Sequence, residues 1–156
     1  MEARARKHRY KLIWSGYAVI AFGAWSIIRM FMMKYFDYSG FGEYFGVTDG
    51  TAETVNLLFG IMLFVLALDL LFRLYVGRNA VREGKGMKVK HRYVFFAALY
   101  TGVALISDFA YLLDLIRGRQ TADMLSAVII DITTSVAFIE IIVPSIALRR
   151  LGQATE

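Results

Sequence analysis

Residues 123–150 read DMLSAVIIDITTSVAFIEIIVPSIALRR. The run is long enough to cross a bilayer, for which about twenty predominantly apolar residues suffice. It nevertheless carries Asp131 and Glu140 inside its apolar course. A charge at membrane depth costs roughly 2.5–3.5 kcal/mol on insertion scales unless something compensates it. Two such acids in one helix therefore imply other helices that share a polar interior with it.

Three further apolar runs precede this one, at about 12–36, 54–76 and 93–116. With 124–148 they predict an all-α integral membrane bundle of four transmembrane helices, a single membrane domain over residues 1–156. Composition agrees, since 58% of the residues are hydrophobic where a soluble domain holds about 45–50%. The longest polar stretch, 77–92, reads GRNAVREGKGMKVKHR. It is too short to bury a core of its own, which leaves no room for a soluble catalytic domain. Cysteine is absent, so disulfides and thiolate chemistry are excluded.

The formal net charge of +5 matters less than where it sits. Five Lys and Arg residues precede the first run, seven lie between Arg73 and Arg92, and two follow Leu148. Only Arg29, Lys34, Arg117 and Arg119 lie elsewhere. Basic residues flanking apolar segments set membrane topology. Both termini and the basic loop 77–92 are therefore expected on the cytoplasmic side, and no nucleic-acid partner is expected. The N-terminal arm resembles the charged region of a signal peptide, but the apolar run after it is too long and no small-residue cleavage site ends it. Compact loops and short tails point to a multi-pass protein of the cell membrane, the inner membrane of a prokaryote.

Topology places the charges by depth. At about 1.5 Å per residue, Arg29 and Asp108 lie roughly 25 Å from the inner ends of their spans, and Asp131 roughly 12 Å below the outer end of its own. They form an expected outer polar layer, to which Tyr111, Thr134 and Asn56 can add. Asp69 and Glu140, roughly 25 Å below the outer end by the same rise, form an inner layer with Arg73. Asp69 and Arg73 are spaced i,i+4 and face one another on the helix. Asp131 and Glu140, nine residues apart, point to opposite sides of theirs. Pro144 deprives the carbonyl of Glu140 of its helical partner, which suggests a kink and a cation or proton site beside that carboxylate.

Arg29, Asp108, Asp131, Tyr111 and Glu140 are thus the candidate proton, cation or polar-ligand site. The plainer account is that these groups hold helices in register. Arg78, Arg82, Lys85, Lys88, Lys90 and Arg92 are expected to contact anionic lipid headgroups. His8 and His91 sit in basic segments and are expected to be solvated, and no metal site or cofactor is expected. No catalytic signature such as His-Glu-x-x-His or Gly-x-Ser-x-Gly occurs, so the chain is not expected to be an enzyme.

Packing signals are few. Gly16 and Gly23 form a smooth stripe for close helix contact, and Ala98 with Gly102 forms a small-xxx-small pair. Ser15, Ala18, Phe22, Trp25 and Arg29 are expected to share one face of the first helix, and Ala97, Thr101, Ala104, Asp108 and Tyr111 one face of the third. The glycines of 84–86 should break the second helix. The function expected first is an accessory or interaction subunit that forms a homo-oligomer or joins a membrane-protein partner. The second is a small oligomeric transporter or channel moving protons or cations past the buried acids.

Overall fold

The computed structural model describes residues 2–36, 52–116 and 122–153, with the side chains of 111, 112, 114–116, 122–128 and 151–153 left aside. The side chain of Tyr111, the segment 37–51 between the first two spans and the turn 117–121 between the last two lie outside what is described. The described chain forms four helices: α1 (Glu2–Phe36), α2 (Ala52–Gly84), α3 (Arg92–Ile116) and α4 (Ala122–Gln153). All four are long and apolar enough to cross a membrane. A helix satisfies its own backbone polar groups, which is what an apolar solvent demands. Large side chains point outward in numbers no water-soluble surface tolerates, among them Leu57, Phe64, Phe95 and Ile106.

Three helices extend well beyond their expected spans, α4 by five residues past Leu148. The basic arm is helical from Glu2, because Arg and Lys are good helix formers. α2 continues eight residues past Val76 to Gly84, so half of the expected basic loop is helix. Its end is a Schellman turn. Met87 N–H donates to Arg82 O at 3.0 Å, Gly86 N–H donates to Glu83 O at 2.9 Å, and Gly86 takes a φ of 82°. Only glycine adopts that angle without strain, so the stop falls where the sequence placed it.

The chain divides into two compact units. The first comprises residues 1–20 and 74–156, and is itself a four-helix packing. A Cβ on Gly16 of α1 would come within 2.7 Å of Gly77 O on α2, and one on Gly77 within 2.6 Å of Gly16 O. The two backbones touch because neither residue has a side chain. α3 and α4 pack through Tyr100 and Phe138, whose ring centroids are 4.6 Å apart. Leu12, Val19, Val76, Tyr93 and Ile141 are fully buried.

The second unit comprises residues 21–73 and joins the rest of α1 to the rest of α2. Met30, Val55 and Phe59 form its core, with Met33, Leu58 and Met62 against them. Phe31 meets Phe59 edge to face at 5.4 Å. Lys34 lies 4.0 Å over the Phe59 ring and donates to Asn56 Oδ1 at 2.8 Å. Gly23 lets Leu70 and Arg73 approach α1 closely.

The face expected on α3 is observed: Ala97, Thr101 and Asp108 are buried and Ala104 is half-buried. On α1 the buried face follows the expected Gly16–Gly23 stripe rather than the row through Trp25. Leu12, Ser15, Gly16, Val19 and Gly23 are buried, while Trp25 is exposed. Where both faces of a helix are apolar, periodicity alone does not say which one meets protein and which meets lipid.

Candidate functional site

A densely bonded polar cluster gathers on one carboxylate. Glu83, the penultimate residue of α2, accepts a hydrogen bond from the Tyr93 hydroxyl at the start of α3. Ser145 of α4 donates to the same carboxylate, 3.1 Å from Oε1 and 3.0 Å from Oε2. Arg149, one turn on along α4, brings Nε to 3.6 Å from Oε1. Tyr93 and Ser145 are fully buried. Three helices therefore meet at Glu83, and its lone pairs are filled by groups from both of the other two. Arg149 Nε and Nη2 are shielded from solvent without a hydrogen-bond partner among the described residues. The guanidinium therefore contributes charge more than directed bonding.

Sequence reasoning passed over this cluster. Glu83 stood as the single acid of a basic segment, and Arg149 as a topology charge. The available signal was that acid itself, ten residues from an aromatic hydroxyl at the mouth of the next helix.

The expected site residues are distributed as follows. Glu140 accepts from Ser15 Oγ at 3.1 Å and pairs with Lys11 Nζ at 3.6 Å, both on α1. It does not meet Asp108, whose carboxylate receives Ser135 Oγ at 3.5 Å. Asp108 is buried between α3 and α4, whereas Asp131 lies on the exposed face of α4. Thr134 turns back to Ile130 O at 2.8 Å, so it serves its own helix. α4 remains helical through Pro144, and the Glu140 carboxylate reaches across to α1. Arg29 and the Asp69–Arg73 pair belong to the second unit. Arg73 Nε donates to Asp69 Oδ2 at 2.6 Å, and Arg73 is buried. Arg73 is thus buried and bonded to a carboxylate one turn back on its own helix, where an arginine near the interface was expected to reach water.

The basic residues expected at lipid headgroups divide in two. Arg78, Arg82 and Lys85 line a cleft of about 570 Å³ between α1 and α2, with Tyr17, Ile20 and Met87. Lys88, Lys90 and Arg92 are exposed on and beside the turn that follows. His8 departs from expectation. It is half-buried, and its Nδ1 is shielded without a partner among the described residues. His91 is exposed. Among the described residues no three His, Asp or Glu side chains converge as metal ligands would.

Four span-length apolar helices, large apolar side chains on the outside and polar groups gathered between helices are the features of a small multi-pass helical membrane protein. The chain matches no protein-family model, no curated protein and no solved structure.

Proposed function

We propose that this is an accessory subunit of the cell membrane, a helical scaffold that assembles with itself or with a membrane-protein partner. The observation that carries this is the use made of its carboxylates. Glu83 is bonded from α3 and α4, Glu140 from α1, and Asp108 from α4. Each ties its helix to another, as registry clamps do. The hydrophobic effect does not drive helices together in lipid, so packing and interhelical hydrogen bonds carry that task. The three carboxylates have separate sets of partners, which is a poor arrangement for a relay. Both termini are cytoplasmic in this account, from the distribution of Lys and Arg. No catalytic chemistry is part of it.

The partner surface lies on the outward faces of α3 and α4. Ala98 and Gly102 are exposed there, and a Cβ on Gly102 would meet nothing within 4 Å. A neighbouring helix can come close along that strip. Asp131 is exposed on α4. The test is chemical cross-linking in native membranes, comparing wild type with Asp131→Asn and Gly102→Leu. Higher-order species that disappear in well-folded variants support the proposal. A wild type that runs as a monomer and captures no partner removes it.

A second function, movement of protons or cations, is favoured by Asp108. That carboxyl is buried in a membrane helix, and its bond to Ser135 sits at the long limit of hydrogen bonding.

A further inference from the structure

A second cleft, of about 450 Å³, lies between the start of α1 and the second half of α4. One wall is Arg4, Lys7, His8 and Lys11. These positions are spaced i, i+3, i+4 and i+7, so the helical arm presents them as one face. The other wall is Ile139, Glu140, Val143 and Pro144. Ile139 and Val143 are 40% and 57% exposed, apolar surface beside a cationic surface.

We propose that this cleft binds an anionic phospholipid, its phosphate among Arg4, Lys7 and His8 and an acyl chain along Ile139 and Val143. Three cationic side chains face one carboxylate, so the cleft is net positive with His8 counted as neutral. That carboxylate, Glu140, is already engaged by Lys11 and Ser15. Arg4 and Lys7 are exposed and available to an anion. His8 stands on the same wall, half-buried, with its Nδ1 shielded and without a partner among the described residues. A soluble phosphate would use only the cationic wall. An amphiphile uses both, and α4 carries the apolar wall within a stretch apolar enough to span the membrane. The site is separate from the Arg78–Lys85 cleft of α2, and it holds whether the protein is a scaffold or a transporter.

The test is native mass spectrometry of protein released from nanodiscs of phosphatidylcholine with and without phosphatidylglycerol. Wild type is compared with Arg4→Gln/Lys7→Gln and, as a control, Arg78→Gln/Arg82→Gln. Both changes in the cleft fall on exposed side chains, and circular dichroism establishes folding. Loss of two basic contacts at an anionic surface should weaken phosphatidylglycerol retention about thirtyfold. The control pair should leave one tightly held lipid in place. Unchanged retention in the cleft variant overturns the proposal, and so does an equal loss in both variants, which is general surface attraction. Displacement of the lipid by soluble glycerol phosphate overturns it in favour of a small-anion site.

Discussion

Tyr93, the second residue of α3, donates its hydroxyl hydrogen to Glu83, the penultimate residue of α2. The bond closes the turn between the two helices, and Ser145 and Arg149 of α4 complete the cluster from the side. Buried between helices, such a contact gains from the absence of competing water, because an unpaired polar group there is costly.

Removing the donor is the mildest probe. Tyr93→Phe should lower stability by about 1–3 kcal/mol, since Glu83 then lacks one buried bond. Glu83→Ala should cost more, about 3 kcal/mol, the low end for breaking a buried pair. Arg149→Gln should cost least, because its guanidinium is 3.6 Å away and poorly directed. Thermal unfolding in detergent gives the order directly.

The close approach of Gly16 and Gly77 makes a steric prediction. Each Cβ would collide with the other residue's carbonyl oxygen, and backbone yields poorly. Gly16→Ala and Gly77→Ala should each destabilise by about 1–3 kcal/mol, the usual cost of overpacking. Gly102→Ala meets nothing within 4 Å. In the isolated protomer it should be neutral or stabilise by up to about 1 kcal/mol through helix propensity. The same unfolding measurement separates the glycines that pack from the one that does not.

Much of this was legible in the sequence, for physical reasons that differ by element. Four helices follow from the apolar runs, because a bilayer admits few alternatives. The Gly84–Gly86 stop follows from glycine's access to positive φ, and the Asp69–Arg73 pair from helical spacing alone. The α3 face was legible because it carries Thr101 and Asp108, which lipid rejects. On α1 the Gly16–Gly23 stripe was legible as a place of close contact, but the outward turn of Trp25 was not, because lipid accepts apolar residues as readily as protein does. Glu83 escaped notice because its bonds need α2 to continue as helix through a segment whose composition reads as loop. Glu140 was placed correctly inside a helix, but its partners Ser15 and Lys11 lie 125 and 129 residues away, beyond any local pattern.

The Asp69–Arg73 pair in the second unit, its arginine buried, should behave as a couple. Arg73 is 5% exposed and bonds Asp69 at 2.6 Å. Asp69→Leu alone leaves a buried guanidinium without its carboxylate, and should cost about 3 kcal/mol or more. Asp69→Leu with Arg73→Met removes both charges and should cost less than Asp69→Leu alone. A double-mutant unfolding cycle reads the coupling.

The Lys11–Glu140 pair should behave differently, since both side chains are about half exposed. Lys11→Gln should change stability by only about 0.2–1 kcal/mol, measured in the same way. A larger loss would mean that Lys11 does more than pair with Glu140.

The most direct test of the scaffold account is flux. Purified protein, monodisperse and reconstituted in liposomes, is given an imposed proton or monovalent-cation gradient, beside Asp108→Asn, Asp131→Asn and Glu140→Gln. The account predicts that wild type dissipates the gradient no faster than protein-free liposomes. Rapid dissipation by wild type that vanishes in a folded Asp108→Asn or Asp131→Asn variant would contradict it, and would make those acids a path for ions.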